Sequence, residues 1–389
     1  YCKNNHIEFE DKEYITTENF YGIENNYIAT EVCRIGMAFT SLKVGEPLKN
    51  KIVLPVKTIC NGKALLMDWE AFCPKTSMTF IVGNPLYKGA HSLDTEQQRE
   101  LRTVYAEEIS HGYKIGELDY ATGYFYKATQ FIKGTDNGFA FVTTNSLTQG
   151  IHVPTLWPLL FSKGIVISFA YTSFKWKNKG KNTTAVTVVI IGCRSALCNH
   201  SKTIYDGNFS YDANDISPYL TKGGMIVQKE NKGPISKILP KMPKGNMPYG
   251  KGLLLSPKEK AELVKDYPSA KTFLKRVVGS QEFIHGEERW CLWISDEQLK
   301  DAEKIPPIKE RIEIVRAARM KGDKSAQKLA SRAHQFREIN MPENYTLVIP
   351  SVSSENRVYM QIGYVNKNTV VTNLAFAIYD AEPWVFGLI

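Results

Sequence analysis

"MTFIVGNPLYKGAHSLDTEQQRE", residues 78–100, decides how the chain is read. An apolar, β-favouring run over 78–82 stops at Gly83. Asn84, Pro85, Leu86 and Tyr87 follow, then a polar, helix-favouring segment. Asn and Pro are ordinary turn formers, so a plain turn is one reading. A pocket for a flat ring bearing an amino group is the other. The exocyclic nitrogen of adenine is a poor nucleophile because its lone pair is delocalised into the ring. Two acceptors aimed at its hydrogens, the Asn84 side-chain carbonyl and the Pro85 main-chain carbonyl, would draw that pair toward an attackable methyl. Tyr87 would stack on the base once it is flipped from a duplex. No metal is needed, and the methyl donor would be S-adenosylmethionine.

Outward from this stretch, the first half alternates strands and helices. Strands are predicted at 19–24, 78–83, 138–145, 164–171 and 185–192, and 63–69 reads as a strand end or loop. Helices are predicted over 94–108 and 118–133. Another after Glu24 places Ile28, Val32, Ile35 and Phe39 on one face. Such alternation implies an α/β fold with a mostly parallel sheet and helices on both faces. Ligands of these sheets sit at the carboxyl ends of the strands, which marks Glu24, Asp68, Asn84 and Asn145 together. Glu24 suits ribose hydroxyls, although an acid at a helix start is equally favoured by the dipole. Asp68 could accept from an adenine amino group with the Trp69 indole against a ring.

From about residue 216 the pattern changes to Pro-, Gly- and Lys-rich irregular sequence, then short strands and basic helices. Residues 216–389 hold 27 Lys plus Arg against 19 Asp plus Glu, whereas residues 1–215 hold 22 against 21. The asymmetry suggests that the second half faces a polyanion, the alternative being a solvated basic surface. A boundary at 215/216 is expected. At 389 residues, with 43% hydrophobic and 23% charged, the chain is of ordinary globular composition. No apolar run approaches a transmembrane span. The seven cysteines form no CxxC pair, which fits thiols in a reducing cytoplasm and argues against zinc. His91, His111 and His285 lack partners at metal spacing.

The order Glu24, Asp68, "GNPLYKGA", "FVTTNSLTQG" and "FAYTSFKWKNKGKNTTAVTVVIIG" resembles the amino-methyltransferases that modify adenine N6 in DNA. More narrowly, the chain is similar to the methyltransferase and target-recognition part of single-chain type II restriction–modification enzymes of the MmeI kind. "GSQEFIHGEERWCLWI", "SSENRVYMQIGY" and "NLAFAIYDAEPWVFGLI" in the second half resemble that family's recognition domain. The resemblance implies a Rossmann-like S-adenosylmethionine-dependent catalytic domain over 1–215 and an α+β DNA-recognition domain over 216–389. It implies that Glu24 holds the cofactor ribose and Asp68 the cofactor adenine. Asn84 and Pro85 would grip the target amine and Tyr87 stack on the base. Phe174, or its competitor Trp176, would be a second aromatic in the loop before the strand at 185. This chain has Leu86 where the resembled motif has Pro or a small residue. No Gly-rich cofactor loop precedes Glu24. A fragment is expected, lacking that loop, an N-terminal nuclease domain and the last C-terminal part, with no cofactor bound.

For the second half, Lys309, Arg311, Arg316, Arg319, Lys321 and Lys324 are the expected phosphate contacts. Glu355 and Arg357, two apart, could meet one base pair from a strand, with a surface ion pair as the alternative. The expected partner is double-stranded DNA, met by a monomer in the cytoplasm. A non-catalytic DNA-binding fragment, or an NPxY-type methyltransferase acting on RNA or protein, are the competing readings.

Overall fold

A computed structural model describes residues 16–44, 58–76, 79–176, 186–197, 200–224, 226–227, 233–234, 236–353 and 357–389. The chain divides into two compact units, Tyr1–Glu230 and Asn231–Ile389. The first unit runs further than the expected boundary. Ile216 and Leu220 are buried in its core, so what reads as the start of a linker is packed structure.

In the first unit β1 (Gly22–Glu24) leads into α1 (Tyr27–Val44) and pairs in parallel with β2 (Ile59–Asn61). The segment 63–68 is a turn before the short α2 (Trp69–Phe72), not a strand end. There follow β3 (Phe80–Gly83), α3 (Thr95–Val104), α4 (Ala106–Ser110), α5 (Ala121–Ile132), β4 (Gly138–Thr144), α6 (His152–Ser162), β5 (Ile165–Trp176), β6 (Val186–Ser195), β7 (Lys202–Asp206) and β8 (Phe209–Ala213). The last six strands form one sheet in the order β3-β4-β6-β5-β7-β8. Its β3–β4 and β5–β7 ladders are parallel, and the ladders through β6 are antiparallel. Nine residues join β5 to β6, too few for the dozen or more of a crossover, so β6 returns beside β5 as a neighbour.

The short β2, the helix α6 and the β7–β8 hairpin escaped the sequence reading. The Pro158 inside α6 breaks the helical pattern on paper. The β7–β8 hairpin closes through Gly207 and Asn208, and Gly207 takes the φ of 58° that Gly allows at such a turn. The core forms where α5 meets β4 and α6. Phe125 of α5 packs edge-on against Phe139 and Phe141 of β4 and Trp157 of α6, with centroids 5.8, 5.2 and 6.1 Å away. The aromatic run over 124–132 is therefore core packing, and it holds β4 under the loops that matter below.

The second unit has two sheets, one ordered β14-β10-β11-β9 and one β13-β12-β15. Its elements are β9 (Leu254–Leu255), α7 (Pro257–Asp266), β10 (Leu274–Val278), α8 (Ser280–His285), β11 (Trp290–Leu292), α9 (Leu299–Ala302), α10 (Pro306–Met320), α11 (Lys324–Lys328), β12 (Tyr345–Pro350), β13 (Gly363–Asn366), β14 (Thr369–Val371), β15 (Ala375–Tyr379) and α12 (Pro383–Leu388). Ile308, Ile312 and Val315 of α10 sit in its largest core with Leu253, Leu255 and Leu292. Among the described residues no helix is long and apolar enough to cross a membrane.

Candidate methyl-transfer and DNA-contact sites

Asn84 follows the last residue of β3. Gly83 pairs with Phe141 of β4, which runs on in the same direction to Thr144, so both strands open on the same edge of the sheet. Pro85 is buried while Asn84 and Leu86 are exposed. The Tyr87 hydroxyl donates to Asn84 Oδ1, which draws the turn into a closed ring of four residues. Burial raises the Tyr87 phenol pKa above its ordinary value, against the bond to Asn84. Asn84 thus has a carbonyl already held in place, with its second lone pair left for an amine. The loop beyond is pinned by residues 119 and 120. Tyr120 N–H donates to Lys88 O at 3.0 Å, and Ala90 N–H donates to Asp119 Oδ1 at 3.0 Å.

Glu24 closes β1. Its Oε1 accepts from Asn26 N–H at 2.9 Å, and Asn26 in turn accepts from Ala29 N–H inside the first turn of α1. The Glu24 carbonyl receives Asn61 Nδ2 and Gly62 N–H, both at 2.9 Å, which locks β1 to the end of β2. Asp68 caps α2, its Oδ1 accepting from Glu70 and Ala71 N–H. The two acids border one face of α5. Burial, with the charges of Glu100 and Glu24, raises the Tyr124 phenol pKa. Burial lowers the pKa of Lys127, one turn on, against the charge of Asp68. Lys127 also donates to Leu65 O at 3.0 Å and to Met67 O. Tyr124 and Lys127 were missed from sequence because they sit within an aromatic run that reads as core. The Trp69 indole is held by its neighbours. It packs on Phe131 and Lys127, and its N–H donates to Ala64 O at 2.8 Å. A cavity of 520 Å³ lined by Asp68, Trp69 and Lys127 lies here, but no residue of the Asn84–Tyr87 turn lines it.

Phe174 and Trp176 lie on β5 itself, not in a loop after it. They are paired with Val188 and Val186 of β6. Being two apart they share a face, and their rings approach to 6.3 Å.

The basic stretch of the second unit splits into two groups. Lys309, Lys321 and Lys324 are exposed. Arg316 is half-exposed beside Glu313, at 3.5 Å. Arg319 is only 1% exposed, and its guanidinium donates to the carbonyls of Pro248, Tyr249, Leu329, Arg332 and Gln335. It cannot reach a phosphate, and the expectation that it does is overturned. Arg311 is likewise committed, to Gly252 O, Leu254 O and Glu259 Oε1. Arg357 lies outside any strand, in the connection from β12 to β13. Glu355 itself lies outside the described residues.

Comparison with known proteins covers both halves. Residues 3–206 match the family model "MmeI, DNA-methyltransferase domain", and residues 222–389 match "MmeI, target recognition domain". The chain is 36% identical over 388 residues to DNA methyltransferase A of Bacillus subtilis (strain 168), covering 96% of this chain and 44% of that protein. It superposes on the type IIL restriction–modification enzyme MmeI, solved in complex with DNA, with a TM-score of 0.85 and 32% identity, over 98% of this chain and 52% of that one. The chain thus spans about half the length of the relatives it matches.

Proposed function

The chain belongs to the MmeI family, with that family's methyltransferase and target-recognition domains in order, and from this we propose that the protein transfers a methyl group to adenine N6 in duplex DNA as part of a restriction–modification enzyme. The observation that carries the reading is the Asn84–Tyr87 turn at the carboxyl end of β3, on the sheet edge toward which the parallel β4 also runs.

Asn84 Oδ1 and Pro85 O accept from the two hydrogens of the target amine. As the nitrogen attacks, it develops positive charge, and both carbonyl dipoles stabilise that charge. Tyr87 stacks on the extruded base, with Phe174 or Trp176 as the second aromatic surface. S-adenosylmethionine, when bound, supplies a methyl activated by its sulfonium. The residues present suit such a cofactor: among the described residues only Oε1 of Glu24 is engaged, which leaves Oε2 for ribose hydroxyls. Asp68 likewise accepts from main-chain N–H through Oδ1 alone. In the second unit Lys309, Lys321, Lys324 and Arg316 contact phosphates. The protein works as a monomer in the cytoplasm.

The test is Asn84→Ala in the full-length protein. Loss of one acceptor is expected to cost about 3 kcal/mol, a drop of roughly 10²–10³ in methyl-transfer turnover, by analogy with loss of one oxyanion donor. Acceptors should be duplex DNA, RNA and protein, and the DNA digest should contain N6-methyladenine. Near-normal turnover by Asn84→Ala, or methyl appearing only in RNA or protein, sinks the reading.

A further inference from the structure

Asp119 stands just before α5 and is almost buried, its side chain 14% exposed. Three segments converge on it. Its Oδ1 accepts the N–H of Ala90, on the loop after Asn84–Tyr87. Its Oδ2 accepts the hydroxyl of Ser146 at 2.7 Å, just past the end of β4, and Ser146 is bonded to Thr144 at 2.7 Å. Its main-chain N–H donates to His152 Nε2 at 3.1 Å, at the start of α6. Burial disfavours its charge, but the His152 imidazole, with Nε2 3.3 Å from Oδ1, and the bonds from Ser146 and Ala90 outweigh that and hold its carboxyl below the ordinary value. The neighbouring Tyr120 N–H grips Lys88 O, so residues 119 and 120 hold both sides of the same loop.

We propose that Asp119 is a positioning residue for methyl transfer, and that with Ser146 it sets the spacing between the Asn84–Tyr87 turn and the carboxyl end of β4. The inference rests on the reading of that turn as the target-base grip. A single carboxylate accepting from both loops makes the two strand ends move as one body. No side chain among the described residues other than Asp119 bridges Ala90 and Ser146. Cutting the bridge leaves the Asn84 and Pro85 carbonyls intact but misaimed.

The test uses the full-length protein with Asp119→Ala, Asp119→Asn and Ser146→Ala, beside Asn84→Ala. Misplacement by an ångström can cost about a hundredfold, so Asp119→Ala should slow single-turnover methyl transfer roughly tenfold to a hundredfold. The dissociation constant for duplex DNA and the KM for S-adenosylmethionine should stay within about threefold, since the carboxylate is placed on neither ligand. Asp119→Asn keeps an acceptor for Ala90 and a polar partner for Ser146, and should recover to within about threefold of wild type. Ser146→Ala removes only the tie to β4 and should slow transfer with unchanged KM, which decides the matter if Asp119→Ala melts. The inference is overturned if both Asp119→Ala and Ser146→Ala transfer methyl at the wild-type rate while Asn84→Ala does not. It is equally overturned if Asp119→Asn is as slow as Asp119→Ala, or if the losses lie in KM. Should Asn84→Ala itself be active, the site reading falls first and this inference with it.

Discussion

Arg319 and Lys321 stand two residues apart and behave oppositely. Lys321 is exposed, and its charge is available to a phosphate. Arg319 is enclosed and spends its donors on five main-chain carbonyls. Arg319→Met would leave those carbonyls buried without donors, and should destabilise the second unit by about 3–5 kcal/mol, read as a lowered urea midpoint. Lys321→Gln should leave the midpoint unchanged and lower the salt slope of DNA binding by about one. Equal behaviour of the two variants would contradict this division. A signal for it existed. On α10 the buried residues Ile308, Ile312, Val315 and Arg319 recur at steps of four, three and four, so Arg319 continues the core stripe. Charge drew attention to the residue type, and periodicity should have outweighed it. Thiols follow the same logic. Burial raises the pKa of Cys291 to about 12 and that of Cys193 further, while Cys33 is exposed. In the native protein a thiol reagent should label Cys33 and spare Cys193 and Cys291 until denaturant is added.

At the scale of elements, α1 separates pattern from placement. Its stripe of Ile28, Val32, Ile35 and Phe39 has the helical spacing expected from sequence. The stripe is exposed, however, with Ile28 at 73% and Phe39 at 68%. Helix α1 instead meets the β1–β2 pair through the other side, where Thr30 Oγ1 accepts from Asn61 Nδ2 at 3.3 Å and Arg34 donates to Ile59 O at 2.7 Å. Exposed apolar stripes of this size bind hydrophobic dyes, so residues 1–389 should enhance the fluorescence of anilinonaphthalene sulfonate. Val32→Lys with Ile35→Lys should reduce that enhancement while leaving the thermal midpoint within a few degrees, and a large midpoint drop would show the stripe to be core. Helix α7 gives a pH prediction. Its Glu259 accepts from Ser256 N–H and Oγ, both at 2.8 Å, and from Arg311 at 2.6 Å. These bonds lower its pKa from 4.5 to about 2. A carboxyl with a depressed folded pKa stabilises fully above its unfolded value, and loses that contribution as pH falls through the folded one. Wild type should therefore lose more stability than Glu259→Gln between pH 4.5 and about 2, and parallel loss in both would remove Glu259 as a cause.

At the scale of the molecule, the two units have separate cores, one built on α5, β4 and α6, the other on α10 with β9, β10 and β11. Residues 231–389 expressed alone should show a cooperative melt by circular dichroism. They should also bind duplex DNA with an affinity that falls steeply between 50 and 200 mM salt, given roughly one counterion released per phosphate contact. Salt-independent binding would rule out the exposed lysines as phosphate contacts. By itself the sequence determined β1, α1, β3, α3, α5, β4, β5 and β6 of the first half, the strand-end turn at Asn84, the acids at Glu24 and Asp68, and the basic bias of the second half. Each of these is local, carried by a few neighbouring residues or by composition. Only the tertiary structure decided that α1 turns its apolar side outward, that β6 returns antiparallel between β4 and β5, and that Asp119 ties the Asn84 loop to Ser146. Burial and hydrogen-bond partnership depend on what other segments arrive alongside, and residues 29 and 27 positions from Asp119 leave no mark in the sequence around it.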